Sequence, residues 1–133
     1  MAMPDLRGVH VLVVEDSDDT RELLREALQY CGASVTTAAS KKEAARSLER
    51  RRPHVIVSDI AMPDDGVALL RHVMDTARAR GADIPVIAIS ADHRQRAALE
   101  GAGFVEFVPK PLDPIHLCGR VRAHVRPEIR LTG

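Results

Sequence analysis

Four short apolar runs constrain the fold of this chain more than any other feature of its sequence. They cover residues 9–14, 55–57, 86–89 and 104–108, and they are rich in β-branched side chains. Runs that are almost continuously apolar are typical of strands covered on both faces, as in a parallel sheet. The more polar segment Ser34–Ala38 predicts a fifth strand, which we expect at an edge of the sheet.

Amphipathic segments with helical spacing lie between these runs. Two apolar stripes each end before a glycine, the first before Gly32 and the second before Gly81. Their members are Leu23, Leu24, Ala27, Leu28 and Cys31 in the first stripe, and Leu69, Leu70, Val73, Met74 and Ala77 in the second. A short helix is also expected near residues 92–100.

Capping signals mark two further helices. Ser40 and Glu43 have the spacing of a capping box, and Asp113 followed by Pro114 predicts the start of the last helix. The residues of that helix expected to face inward are Leu117, Cys118, Val121 and Val125. Strand and helix thus alternate five times, which predicts an α/β fold with a doubly wound, five-stranded parallel sheet and five helices. Ligands of such sheets bind beyond the carboxyl ends of the strands.

Composition and charge exclude several functions. The 19 basic residues balance the 19 acidic ones, so no net field favours nucleic acid or an anionic membrane. The six histidines lack metal-ligand spacing and are expected at surface or edge positions. Cys31 and Cys118 are expected to be buried free thiols, and the arginines at residues 50–52 a solvated helix end. With no signal peptide and no apolar run of membrane-spanning length, the chain is expected to be cytoplasmic, without direct contact to nucleic acid or membrane.

Polar residues follow the predicted strands at the edge where ligands bind. Glu15 and Asp16 follow the first strand, Asp59 ends the third, Ser90 ends the fourth, and Lys110 follows the fifth. Carboxylates gathered so closely repel one another unless one is protonated or they share a cation. Mg²⁺ binds through few carboxylates and leaves positions open for phosphate oxygens, whereas Ca²⁺ requires more protein ligands. We therefore predict a magnesium site.

An aspartate beside magnesium is suited to attack a phosphoryl group and form an aspartyl phosphate. Asp59 is the residue that we expect to be modified, because the third strand presents it rigidly at the edge of the sheet. Lys110 would supply a positive charge to the incoming phosphoryl group, and Ser90 a hydroxyl donor. The motif "SDIAMPDDG" at residues 58–66 then turns the chain away through Met62 and Pro63.

These motifs together resemble the receiver domain of two-component response regulators. The resemblance covers about residues 9–125 and is carried by "VLVVEDS", "SDIAMPDDG", "AISA" and "FVPKP" in this order. It implies a flavodoxin-like (βα)5 fold with strand order 2-1-3-4-5, as in the chemotaxis regulator. The stretch "LRGVHVLVVEDSDDTRELL" also resembles receivers attached to hybrid sensor kinases.

The resemblance implies a role for each site residue. Asp59 would be the phosphoacceptor and a magnesium ligand together with Asp16 and the backbone carbonyl of Ala61, while Glu15 would act through a water. Ser90 and Lys110 would contact the phosphoryl oxygens, and the Lys110-Pro111 bond would be cis. Phe107 occupies the aromatic switch position, turning inward as Ser90 moves toward the phosphoryl group.

Two lengths depart from the family pattern. The turn from Asp59 to Gly66 is about one residue shorter, and the segment from Ser90 to Lys110 is about two residues shorter. The second difference abbreviates the fourth helix, part of the usual output surface. Asp92, two residues after Ser90, is expected to influence the water that hydrolyses the phosphoryl group.

The resemblance also implies partners and boundaries. The phosphoryl donor would be a sensor histidine kinase or a histidine phosphotransfer protein. The output partner is unknown, and a homodimer would form through the face of the fourth helix, fifth strand and fifth helix. The receiver domain is expected at residues 9–126, after an N-terminal extension at 1–8 and before a C-terminal tail at 127–133. The chain would then be a stand-alone regulator or part of a longer protein, and not an enzyme.

Two other functions are compatible with parts of the sequence. "DSDDT" at residues 16–20 matches the nucleophile motif of haloacid-dehalogenase-type phosphatases, with Asp16 as nucleophile and Asp18 as acid/base. In that family, however, the second acidic cluster follows the Ser/Thr and Lys motifs, whereas Asp59 precedes both. A receiver fold used only as a phosphate-independent interaction module is the other alternative.

Overall fold

A five-stranded parallel sheet forms the centre of the molecule. The computed structural model describes residues 3–60, 66–79, 81, 83–91 and 104–125, without the side chains of 66–70, 73 and 77. The strands are β1 His10–Val14, β2 Ser34–Ala38, β3 Val55–Asp59, β4 Val86–Ser90 and β5 Glu106–Pro109, in the order β2-β1-β3-β4-β5. The described helices are α1 Asp18–Tyr30, α2 Lys41–Arg50, α3 Gly66–Ala79 and α4 Pro114–Ala123. These elements confirm the predicted fold class and strand order; the helix expected near residues 92–100 lies outside the described residues.

Apolar side chains cover the sheet on both faces. Alternate residues of β1 belong to two separate core clusters: Leu12 and Val14 to one, Val11 and Val13 to the other. The first cluster also contains Ala44 and Leu48 of α2 and contacts Met74 of α3. The second contains Leu24 and Leu28 of α1 and Leu117, Cys118 and Val121 of α4. Because both faces are buried, the central strands contain almost no polar alternation.

The predicted caps are present. The Ser40 hydroxyl accepts a hydrogen bond from the Glu43 amide at 3.2 Å, and the Glu43 carboxylate accepts one from the Ala39 amide at 2.7 Å. Asp113 caps α4 by accepting from the amides of Ile115 and His116. These bonds satisfy amides that have no partner within their own helix, and they fix where each helix begins.

Two predictions were wrong, one about the burial of a helix residue and one about where the last strand begins. Leu23 is 47% exposed, because Leu24 and Leu28 fill the inward face of α1 and Leu23 lies beside that face. The last strand begins at Glu106 rather than at Phe104. Phe104 is nevertheless buried in the core, just before the strand pairs with β4.

His10 corrects the expectation that the histidines lie at the surface or an edge. Its side chain is 3% exposed, at the start of the inner strand β1. Its Nδ1 lies 2.8 Å from the Ser34 hydroxyl and its Nε2 lies 2.9 Å from the Thr36 hydroxyl. Burial is the main cause that lowers the pKa of His10, with the positive charge of Arg51 second. A neutral, hydrogen-bonded core histidine fits these contacts.

The segment before β1 packs against the sheet. Leu6 is fully buried in the same core cluster as α1 and α4. Its amide donates to the carbonyl of Cys31 at 2.8 Å, at the end of α1. The next residue, Gly32, has a φ of 104°, and a Cβ there would lie 2.8 Å from the Arg7 side chain. The turn between α1 and β2 therefore requires glycine.

No described helix combines the length and the apolar character that crossing a bilayer requires.

Candidate functional site

Three acidic side chains meet at the carboxyl edge of the sheet. Glu15 and Asp16 follow β1, and Asp59 is the last residue of β3. Each contributes one carboxylate oxygen to a group in which these oxygens lie within 4.8 Å of one another. Neighbouring parallel strands bring residues distant in the sequence to the same edge, so this proximity follows from the pairing of β1 with β3.

Lys110 supplies the positive charge of this cluster. Its Nζ donates to Asp59 Oδ2 at 2.8 Å and lies 4.0 Å from Glu15 Oε2. Burial acts to lower the pKa of Lys110, but the Asp59 carboxylate, with smaller contributions from Glu15 and Asp16, outweighs burial and raises that pKa. Lys110 is therefore a permanent cation beside Asp59.

The backbone fixes where Lys110 lies. Its amide donates to the carbonyl of Ser90 at 2.9 Å, extending the pairing of β4 with β5 by one step. The following Lys110-Pro111 peptide bond is cis, the isomer that the resemblance implies. Ser90 is 1% exposed and lies at the end of β4, whose neighbour β3 ends at Asp59.

Glu15 is the most perturbed member of the cluster. Its side chain is 1% exposed, its Oε1 accepts from the Ser17 amide at 3.0 Å, and its Oε2 is buried with no hydrogen-bond donor among the described residues. Burial, followed by the neighbouring Asp59, raises the pKa of Glu15 to about 7. A buried carboxylate oxygen without a donor, beside two further carboxylates, fits a hard divalent cation such as Mg²⁺.

Two residues that support the site were not identified from the sequence. The guanidinium of Arg21 donates to the backbone carbonyl of Glu15 at 3.0 Å and also pairs with Asp18. Ser17 caps α1, with its hydroxyl accepting from the Thr20 amide at 3.4 Å. The signal for Ser17 was its position before the acidic first turn at residues 18–19. A long side chain that reaches back to a carbonyl has no comparable sequence signal.

The structure describes only some of the other residues that the sequence singled out. Phe107 is 5% exposed and packs in the core cluster that contains Ile60 and Phe104. Asp18 and Asp19 are exposed in the first turn of α1. The following predicted positions lie outside the described residues: Ala61, Met62, Pro63, Asp64, Asp65 and Asp92.

The raised pKa of Glu15 predicts a pH-dependent stability of the metal-free protein. Between the ordinary value of 4.5 and the folded value of about 7, the folded state binds more protons than the unfolded state. The free energy of unfolding should therefore fall by roughly 2 to 3 kcal/mol as pH rises through this window. Urea unfolding in a chelator at about pH 5 and about pH 8 measures this change.

Glu15→Gln is the informative variant for this prediction. It should show a smaller decline than the unmodified protein, because glutamine does not titrate. Glu26→Gln, an exposed position on α1, is the matched control and should keep the full decline. An equal decline in the Glu15→Gln protein would contradict the assignment of the raised pKa to this residue.

Known proteins match both the sequence and the fold. Residues 11–122 match the family model of the response regulator receiver domain. An uncharacterized 14.6 kDa protein of Leptolyngbya boryana is 41% identical over 125 residues, which are 92% of this chain and 94% of that protein. The response regulator MprA of Mycolicibacterium vanbaalenii is 35% identical over 121 residues, which are 89% of this chain and 51% of MprA. The chain thus spans about half the length of MprA.

Solved structures agree with the sequence matches. The chemotaxis protein CheY4 of Vibrio cholerae is 25% identical with a TM-score of 0.79, covering 88% of this chain and 98% of its own. The signal receiver domain of a signal transduction histidine kinase from Syntrophus aciditrophicus is 32% identical with a TM-score of 0.75. That match covers 86% of this chain and 88% of the receiver domain.

These matches bear on one of the two alternative functions that the sequence left open. None of these relatives supports the haloacid-dehalogenase-type phosphatase. Membership of the matched family implies a signalling role and interaction with a histidine kinase or a phosphotransfer protein. The family model covers most of the chain, and the fold and strand order agree with it. The chain belongs to the receiver domain family of two-component response regulators.

Proposed function

We propose that the chain accepts a phosphoryl group on Asp59 from a phosphohistidine of a sensor histidine kinase or a histidine phosphotransfer protein. The observation that carries this proposal is the convergence of Glu15, Asp16 and Asp59 within 4.8 Å, with Lys110 Nζ 2.8 Å from Asp59. A nucleophilic carboxylate, a metal-binding group and a fixed cation are the components that phosphoryl transfer requires.

Each residue has a defined part in the transfer. A carboxylate oxygen of Asp59 attacks phosphorus, an O–P bond forms, and the N–P bond to the donor histidine breaks with its electron pair leaving on the imidazole. Lys110 attracts the phosphoryl oxygens, and the Ser90 hydroxyl donates to one of them. Asp16 and Asp59, with the carbonyl of Ala61 and with Glu15 through a water, would hold Mg²⁺. When bound, Mg²⁺ would neutralise carboxylate charge and coordinate the phosphoryl oxygens.

The domain would act as a switch rather than as an enzyme on external substrates. It would catalyse its own phosphorylation and its own slow dephosphorylation, with Asp92 influencing the attacking water. Ser90 would move toward the phosphoryl group and Phe107 would turn with it, which biases an existing equilibrium between two shapes. The output surface, used by an unknown partner or by a second copy, would be the face of the predicted fourth helix, β5 and α4, where α4 is the predicted fifth helix. The functional unit would be residues 9–126, between an extension at 1–8 and a tail at 127–133.

Labelling by a small phosphodonor tests the proposal. We expect incubation with acetyl phosphate and Mg²⁺ to add one phosphoryl group per chain, detected by intact mass, and a chelator to prevent the addition. The acid-labile phosphate should map to a peptide that contains Asp59. Labelling at Asp16 would instead support the phosphatase chemistry. The absence of any Mg²⁺-dependent labelling would support a phosphate-independent interaction module.

A further inference from the structure

Within the described part of the chain, no strand pairs with the outer side of β2, so the outward backbone groups of β2 have no strand partner. β2 pairs with β1 on its inner side, where the Ser34 amide donates to Val9 at 2.9 Å and the Ala38 carbonyl accepts from Glu15 at 3.0 Å. Backbone groups alternate in direction along a strand, so those of Val35 and Thr37 point away from the sheet. β2 is an edge strand in the order β2-β1-β3-β4-β5. An open edge of this kind is a template for an added strand.

A polar groove lies beside this edge. It has a volume of about 360 Å³. It is lined by Thr36 and Thr37 of β2, by Glu43, Arg46, Ser47 and Arg50 of α2, and by Arg51, which follows α2. Residues 43, 46, 47 and 50 share one face of α2, because three or four positions separate neighbours on a helix face. The groove therefore runs between one helix face and one open strand edge.

The groove has a strong positive charge. Three guanidinium groups face one carboxylate, Glu43, which already accepts from the Ala39 amide. Neither Arg46 nor Arg50 makes an ion pair within the described part of the chain, and Arg51 donates to the neutral Ser34 hydroxyl at 3.4 Å. Other arginines, such as Arg25 with Glu22, are paired with a carboxylate on their own helix. The charge of the groove is thus available to an anionic ligand.

The residues that line the groove and the open backbone of β2 together indicate which class of ligand would bind. None of the seven lining residues is aromatic, so the groove offers no surface on which nucleic-acid bases could stack. A polypeptide strand can use the open backbone of Val35 and Thr37, and its acidic side chains can pair with Arg46 and Arg50. Side chains alternate along a strand, so acids at every second position would face the arginines.

We propose that the groove between β2 and α2 binds an extended, acidic segment of a partner protein, which adds to the sheet as a strand beside β2. This site lies at the edge of the sheet opposite β5. None of the contacts proposed for the peptide involves Asp59, so binding can be tested with the unphosphorylated protein in a chelator.

A synthetic peptide of alternating glutamate and valine is the probe. We expect it to bind the whole chain, as measured by calorimetry, and a peptide of alternating lysine and valine not to bind. Arg46→Glu and Arg50→Glu should each weaken binding at least about tenfold, because each reverses a charge that pairs with the peptide. Arg122→Glu makes the same charge reversal at an exposed position of α4, on the opposite face of the sheet from α2, and should leave the affinity within about twofold.

Two further measurements separate strand addition from simple charge attraction. A glutamate-valine peptide N-methylated at alternate residues keeps its charge but loses amide donors, and it should bind at least about tenfold more weakly. Thr37→Pro removes one outward amide of β2, at an edge where proline is tolerated, and it should weaken binding of the unmethylated peptide. Thermal unfolding checks that this variant is folded.

Several results would overturn the proposal. The first is that the glutamate and lysine peptides bind with equal affinity. The second is that Arg46→Glu leaves the affinity for the glutamate-valine peptide unchanged. The third is that the methylated peptide binds as tightly as the unmethylated one. Tighter binding of an oligothymidine of similar charge would assign the groove to single-stranded nucleic acid instead. A dimer of the protein that the glutamate-valine peptide does not dissociate would assign the edge to a second copy of the chain.

Discussion

Replacing Asp59 with asparagine should abolish phosphorylation by acetyl phosphate, lowering the rate by more than about 10³-fold. The amide has nearly the shape of the carboxylate but carries no charge and is not a nucleophile. Asp59 is 4% exposed at the end of β3 and bonded to Lys110, so no other carboxylate can take the same position. Intact mass spectrometry after incubation with acetyl phosphate and Mg²⁺ measures the loss directly.

Two further aspartate variants test whether the loss of labelling is specific to Asp59. Asp18→Asn changes an exposed acid in the first turn of α1 and should leave labelling unchanged. The same variant would impair a phosphatase that used Asp18 as its acid/base. Asp16→Asn should slow labelling by weakening Mg²⁺ binding, so excess Mg²⁺ should partly restore it. Persistent labelling of the Asp59→Asn protein, with the phosphoryl group on Asp16, would contradict the proposed phosphoacceptor.

Lys110→Met should slow phosphorylation by about 10²-fold and strengthen Mg²⁺ binding. The ammonium lies 2.8 Å from Asp59 and 4.0 Å from Glu15, where it offsets negative charge and attracts the incoming phosphoryl group. Without it, the carboxylates depend more on the metal ion, because like charges repel at these distances. Methionine keeps most of the length and apolar stem of the lysine side chain.

The two effects of Lys110→Met have opposite signs, which makes the variant diagnostic. Calorimetric titration gives the Mg²⁺ affinity, and the rate of mass gain gives the phosphorylation rate. Lys42→Met, at an exposed position of α2, is the control for the loss of one positive charge and should change neither quantity. A Lys110→Met protein that is phosphorylated at the normal rate would show that Lys110 does not act on the phosphoryl group.

The fold was predictable because its strongest signals are local. Strands buried on both faces are nearly continuously apolar, and Ser40, Asp113 and Pro114 mark helix starts through bonds to adjacent residues. Once the strands are parallel and β1 lies beside β3, the meeting of Asp16 and Asp59 follows from topology alone. The identity of the site residues thus required only the motifs and the strand order.

Properties that depend on packing were not predictable. The burial of Glu15, which raises its pKa to about 7, depends on how β1, β3 and Lys110 close around it. The burial of His10 depends on the hydroxyls of Ser34 and Thr36, which the β1 and β2 register brings beside it. The exposure of Leu23 depends on which neighbours fill the inward face of α1. These outcomes come from contacts between distant segments, which local patterns do not encode.

The groove beside β2 illustrates the same limit. The sequence indicates a solvated helix end at residues 50–52, and Arg52 is exposed. Arg50 and Arg51 instead line a groove together with Arg46 and the edge of β2. Their shared position depends on how α2 packs on the sheet. A charged run can therefore form part of a recognition surface even where its local pattern indicates only solvation.

The location of a bound divalent cation tests the central claim most directly. Crystals grown with Mn²⁺ in place of Mg²⁺ allow the ion to be located by its anomalous scattering. We predict one peak between the carboxylates of Asp16 and Asp59, with ion-to-oxygen distances of about 2 Å. A peak elsewhere, or carboxylates that separate without binding the ion, would contradict the proposal that acids following β1 and ending β3 jointly hold the metal.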